Sequence, residues 1–152
     1  MAIWQFNLVA IPRQSICSFF QCVPQHLEDE VLDTRNWWNN VPEPDEQEFA
    51  SLLPKSTSWS KSIKAWGTED GHRIELHFNK DCFFELTFRI DLRQSLKQFL
   101  DSLLFLAKKH DYLFITEEGV LLEPTREIVL RAIQKSSAFS FVENPRSFLD
   151  QL

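Results

Sequence analysis

The sequence predicts an α+β domain in which a mainly antiparallel sheet is packed by one long helix and a second, shorter one. Three observations carry that prediction. From His72 to Ile90, apolar and polar residues alternate on both sides of Asn79-Lys80-Asp81, the period of paired strands. Immediately afterwards, Leu96, Phe99, Leu100, Leu103, Leu104 and Ala107 recur at the spacing of one helix face. Along the whole chain the pieces run strand, helices, strands, helix, strands, helix, an order that segregates rather than alternates the two element types.

The first strand spans residues 3 to 11. Trp4, Phe6, Leu8 and Ala10 share one face, and Pro12 ends the run because it lacks the N–H that a ladder needs. After Pro24, Gln-His-Leu-Glu-Asp-Glu-Val-Leu reads as a short helix with acids in its first turns, where the helix dipole favours them. A second short helix is expected from Pro44 to Leu53, with an irregular Asn36-Trp37-Trp38-Asn39-Asn40 segment between the two. Residues 59 to 66 are weakly strand-like, and Gly67 to Gly71 form an acidic connector into the hairpin. Its glycines invite a calcium or phosphate reading, but no EF-hand pattern or phosphate loop surrounds Glu69 and Asp70.

In the hairpin, a three-residue loop at 79 to 81 keeps the apolar residues on one face by pairing Phe78 with Cys82, Leu76 with Phe84 and Ile74 with Leu86. Asp91 and Gln94 then have the spacing of a capping box, which predicts the long helix over about 92–110, closed by Lys108, Lys109 and His110. A second hairpin is expected from Tyr112 to Thr116 and Val120 to Glu123, turning at Glu117-Glu118-Gly119. Thr125 caps a helix over about 125–137, and Asn144-Pro145 opens a short terminal helix with Phe148 and Leu149. The 1–152 chain is read as a single domain, one version of which is a ferredoxin-like core with an insertion at 24–58.

Composition narrows the function classes. No basic leader and no apolar run long enough to span a bilayer is present, so a cytoplasmic protein is expected. Cys17, Cys22 and Cys82 form no CxxC pair and read as reduced, mostly buried thiols. Three glycines, at 67, 71 and 119, cannot make a GxGxxG or GxxxxGK[ST] loop, and HExxH and GxSxG are missing as well. No cofactor is therefore expected.

Charge is unevenly placed. Residues 25 to 50 carry eight acids against the single base Arg35, whereas the remainder carries fifteen bases and fourteen acids. The net charge of −6 thus resides in one stretch, which also holds Trp37 and Trp38. An acidic balance disfavours nucleic acid and anionic membrane as partners, since both require basic side chains.

Two candidate sites follow. The first is the acidic insertion, with Trp37 and Trp38 as anchors inside a rim of Asp33, Glu43, Asp45, Glu46 and Glu48 that suits a protein with a basic surface. The second is the polar face of the 72–90 hairpin. In the three-residue-loop register Glu75 lies opposite Glu85 with Cβ atoms roughly 5 Å apart, and His77 shares the face. That trio could hold a divalent metal or supply a general acid, although Arg73 on the same face makes a plain solvated surface sufficient explanation.

In size, charge and texture the chain is similar to bacterial immunity proteins, which neutralise basic toxins, and to small secretion chaperones. The resemblance implies a non-enzymatic protein-binding module, an inhibitor or immunity-type protein, and carries no residue assignments. The alternatives are a metal-dependent or acid-base enzyme using Glu75, His77 and Glu85, and a homo-oligomeric structural protein whose aromatics cover a self-interface.

Overall fold

A computed structural model describes residues 2–144. Its central strand is β1 (Gln5–Pro12), which runs directly into a helix, α1 (Arg13–Phe20). Two short helices follow, α2 (Asp29–Asp33) and α3 (Glu46–Ala50). Next come β2 (Lys55–Ser56), β3 (Ile63–Gly67), β4 (Arg73–Asn79) and β5 (Cys82–Asp91). The long helix α4 (Lys97–His110) leads to β6 (Tyr112–Ile115) and β7 (Leu121–Leu122), and α5 (Arg126–Gln134) and α6 (Ser137–Glu143) close the described chain.

The seven strands form one sheet in the order β2-β3-β4-β5-β1-β6-β7, and every neighbouring pair is antiparallel. The chain is therefore α+β with a mainly antiparallel sheet, as its periodicities predict. β5, α4 and β6 form a crossover that straddles β1. The connection from β1 to β4 is no single crossover helix, however. It contains α1, α2, α3 and two further strands, so the strand-helix-strand-strand-helix-strand reading is extended well beyond a simple core.

Both sheet faces are covered, to different extents. Phe6, Leu8 and Ala10 of β1 pack with Ile74, Leu76, Leu86, Phe88 and Phe114 beneath Leu100, Leu103 and Ala107 of α4. Ile11 of β1, pointing the other way, joins Leu113, Ile115, Ile16 of α1, Leu27 and Trp37 in a smaller cluster. That second cluster covers only the β1-β6-β7 side. Across β4 and β5 the same face carries Glu75, His77, Glu85, Thr87 and Arg89, all partly exposed.

Several expectations are corrected. The first hairpin turns through two residues, Lys80 and Asp81, both at positive φ (49° and 63°), as a type I′ turn requires. Asn79 pairs with Cys82 and Phe78 with Phe83, but His77 pairs with Glu85, so Phe84 is an extra, bulged residue. The bulge restores the alternation that a two-residue loop alone would scramble, giving Leu76 opposite Leu86 and Ile74 opposite Phe88. Glu75 consequently faces Thr87, not Glu85.

The long helix starts at Lys97 rather than near residue 92. Asp91 sits in the β1-β5 ladder opposite Gln5 and is fully buried, so it has no helix to cap. Its carboxylate instead accepts from the Arg93 backbone N–H (2.9 Å) and guanidinium (3.0 Å). Thr125 does cap α5, accepting from Ile128 N–H. The expected 125–137 helix breaks at Lys135 because Ser136 caps a new helix, α6, by accepting from Phe139 N–H. α1 is an addition to the expected elements, and Cys22 and Cys82, expected to be buried, are exposed. The terminal helix expected after Asn144 lies outside the described residues.

The Gly67 connector is a structural joint. Gly67 has φ +90°, and a Cβ there would stand 2.0 Å from the His72 carbonyl oxygen. Gly67→Ala is expected to lose more than about 1 kcal/mol, since the backbone itself must move to admit the methyl. Thermal unfolding showing an unchanged midpoint would contradict that reading.

Candidate functional site

The anticipated aromatic anchors are interior residues. Trp37 and Trp38 retain 8% and 5% of their surface exposed. Although adjacent, they belong to the two different clusters. Trp37 stacks on Phe20 at 6.4 Å, takes an edge contact from Phe19 at 5.7 Å, and donates its indole N–H to the Leu32 carbonyl. Trp38 wedges between Phe83 (4.9 Å) and Tyr112 (5.0 Å). Asn36 fixes the pair in place: its amide donates to the Phe83 carbonyl and its side-chain oxygen accepts from Trp38 N–H.

Much of the acidic rim is engaged within the molecule. Glu46 pairs with Lys55 and Lys64, and Glu48 binds Lys109 (2.6 Å) and His110 (2.7 Å). Hydrogen bonds from Lys64 hold the Glu46 carboxyl below its ordinary range. Asp45 accepts from Gln47 N–H and caps α3. Asp33 and Glu43 remain exposed.

What the fold builds is a groove of about 560 Å³ between α2, the Trp37-Trp38 loop and the less-covered face of the sheet. Val9, Ile11, Trp37 and Phe84 supply apolar wall, and Asp33 and Glu85 supply carboxylates. The bulge at Phe84 is what admits Glu85, by turning Phe84 outward while Phe83 stays buried under Trp38. Burial pushes the Glu85 carboxyl above its ordinary range. His77 directly opposite works against that rise, while the negative fields of Asp33 and Glu75 add to it. Neither the Asp33 nor the Glu85 carboxylate makes an ion pair or a hydrogen bond among the described residues. Arg35, on the groove's rim, lies instead over the Phe19 ring at 3.7 Å.

Glu75 and His77 are placed differently. Arg73, only 2% exposed, donates its Nε to Glu75 at 2.5 Å, and His77 Nε2 stands 3.2 Å from the other carboxylate oxygen. Hydrogen bonding from His77 and from Arg73 holds the Glu75 carboxyl at about 2, against the opposing effect of burial. Glu75, His77 and Glu85 thus lie along one face without converging. No group of three or more His, Cys, Asp or Glu residues able to hold a metal ion occurs among the described residues.

Two other features escaped the sequence reading. A groove of about 790 Å³ runs along α4 beside Phe105, whose side is 72% exposed. At the far end of β4 and β5, Arg73 and Arg89 stand directly opposite each other beside Trp59, which is 83% exposed. Sequence spacing gave no sign of the second, because the opposition of the arginines depends on the hairpin bulge. No helix among the described residues is long and apolar enough to cross a membrane. Comparisons with protein-family models, curated proteins and solved structures find no match.

Proposed function

We propose that the chain is a non-enzymatic binding module that receives a cationic side chain of a protein partner in the groove between α2 and the sheet. The observation that carries this reading is Glu85: a partly buried carboxylate, facing apolar walls and a second carboxylate, with no positive partner of its own in hydrogen-bond contact. An unpaired charge in such a place costs stability, and a lysine or arginine from outside offsets that cost. The apolar walls shelter the interaction from water, while exposed acids around α2 speed encounter with a basic surface. An inhibitor or immunity-type role, acting from the cytoplasm, is the form of this reading that the acidic stretch favours.

The acid-base alternative has less behind it. A shared-proton pair needs two carboxyls with matched access, and Glu75 is already committed to Arg73 and His77. Glu85 has Asp33 across the groove, but Asp33 is exposed and does not share its burial.

The test uses a short lysine-containing peptide as probe, titrated into isotope-labelled protein and followed by backbone amide shifts. Saturable shifts at Asp33, Trp37 and Glu85 that vanish in Glu85→Gln are expected. Shifts confined to other acids, or unchanged in Glu85→Gln, would overturn the reading. The same variant has a second readout. Because the Glu85 carboxyl is raised in the folded state, folding takes up protons there, and stability falls as pH rises from the ordinary glutamate range through the folded value. Glu85→Gln removes that loss, so its melting point at neutral pH is expected to rise by about 2–4 °C for each kcal/mol recovered. A variant that loses the probe while gaining stability distinguishes a binding carboxylate from a structural one.

A further inference from the structure

α4 covers the main core with one side, where Leu100, Leu103 and Ala107 are fully buried. Its opposite side departs from the usual pattern. Phe105 stands largely exposed there, at a position that an amphipathic helix ordinarily gives to a polar residue. Directly beside it runs the groove of about 790 Å³, lined by Ser51 and Leu52 just past α3 and by Ser102 and Leu106 of α4. A protruding ring and a hollow able to take one therefore occupy the same face. Two identical copies related by a two-fold axis need that combination, since each patch meets its own image.

The charges of this face have the same self-matching order. Asp101 lies four residues before Phe105 and Lys109 four residues after it, and all three border the groove. When two antiparallel copies of α4 cross at Phe105, Asp101 of each faces the partner's Lys109, with the two rings between these pairs. Within one chain Asp101 pairs with Arg126 and Lys109 with Glu48, but Asp101 and Lys109 both stay about half exposed, and surface pairs of this kind hold their partners weakly. Arg126 and Glu48 then extend each contact into a row of alternating charge. The face as a whole is neutral, because Lys97 and Lys109 balance Glu48 and Asp101. On a chain of net charge −6, two copies can approach here without concentrating like charge, whereas the acidic α2 region would repel its own image.

We propose that this face is a homodimer interface: two copies of the chain pack α4 against α4 antiparallel about a two-fold axis at Phe105, each ring entering the partner's groove. Neutrality and the self-matching order of Asp101 and Lys109 favour a second copy over a strongly charged partner. The α2 groove lies on the other side of the sheet, beside Ile11 and Trp37, and stays open in such a dimer. The inference is therefore independent of the lysine-binding reading.

Sedimentation velocity of the whole chain, from micromolar to near-millimolar concentration, is the test. The wild type is expected to pass from one copy to two, and Phe105→Asp, a change at an exposed position, is expected to stay monomeric throughout. Asp101→Lys and Lys109→Asp each set like charges opposite one another, and each is expected to weaken the dimer by roughly tenfold or more. Mixing these two variants decides the geometry. An Asp101→Lys chain meets a Lys109→Asp chain with opposite charges at both ends of the crossing, so a heterodimer about as strong as the wild-type dimer is expected. Misfolding of either variant could not produce that recovery. The proposal is overturned if the wild type stays monomeric near millimolar concentration, if Phe105→Asp associates as the wild type does, or if the mixture dimerises no better than its components.

Discussion

Trp38→Ala is expected to lower the unfolding free energy by about 3–5 kcal/mol, the range for deleting a large aromatic from a packed interior. The side chain is 5% exposed and holds Phe83 of β5 and Tyr112 of β6 at ring distances of 4.9 and 5.0 Å. Removing it leaves a void that neither neighbour can fill, because each is fixed in a different strand of the sheet. Total stabilities of single domains lie near 5–15 kcal/mol, so this one residue carries a large share. Trp38→Phe keeps most of the volume and is expected to cost appreciably less. Trp37→Ala should fall between them, since Trp37 sits in the smaller cluster at the groove wall. Urea unfolding monitored by circular dichroism decides the order. A loss below about 1 kcal/mol for Trp38→Ala would mean that the tryptophan is not an interior residue at all, and would revive its reading as an exposed anchor.

The contrast between the two roles of Trp38 shows where sequence reasoning succeeded and where it stopped. Local periodicity located β4, β5 and α4, because each buries a face whose spacing is written in consecutive residues. Thr125 was recognisable as a cap, and Glu117-Glu118-Gly119 as a turn, for the same reason: the relevant hydrogen bonds span only a few positions. α1 was not legible, since its eight residues bury only Ile16 and so leave no stripe to detect. The hairpin register was constrained but not determined. Keeping the apolar residues on one face is satisfied by a three-residue loop, and equally by a two-residue turn with an extra residue at Phe84. That single ambiguity decides whether Glu85 faces Glu75 or His77. Exposure of Trp37 and Trp38, and the engagement of Glu46 and Glu48, depended on partners distant in the chain, Tyr112 and Lys109 among them. Acidic residues dense in sequence are not a charged surface when bases from elsewhere fold back on them. The candidate groove was therefore only half visible: Asp33 and Glu85 were each singled out, on separate grounds, without any sign that they meet.

Arg73→Met should be the most damaging polar substitution, costing about 3–5 kcal/mol, because it leaves the Glu75 carboxylate without its guanidinium in a largely buried position. Two effects compete. Losing Arg73 relieves its repulsion with Arg89, and it breaks the 2.5 Å charge-assisted hydrogen bond to Glu75. The second should win, since Arg89 is in no hydrogen-bond contact with Arg73 whereas Glu75 is in direct contact. Acid titration gives the cleaner signature. With a folded value of about 2 against an ordinary 4.5, Glu75 contributes stability that is fully present above the ordinary range and is lost as pH falls toward 2. Glu75→Gln should flatten that acid limb, and Arg73→Met should shorten it by letting the carboxyl titrate nearer its ordinary value. Glu85 works in the opposite sense over the adjoining window, while the lowered Glu46, Glu48, Asp91 and Glu123 carboxyls add to the acid limb that Glu75 contributes. Arg73→Met combined with Glu75→Gln is expected to lose less than the sum of the single changes, since the pair is removed together rather than broken. Additive losses would show that Arg73 and Glu75 are not coupled, and an acid limb unchanged by Glu75→Gln would show that the Arg73-Glu75-His77 row does not hold the Glu75 carboxylate in the folded state.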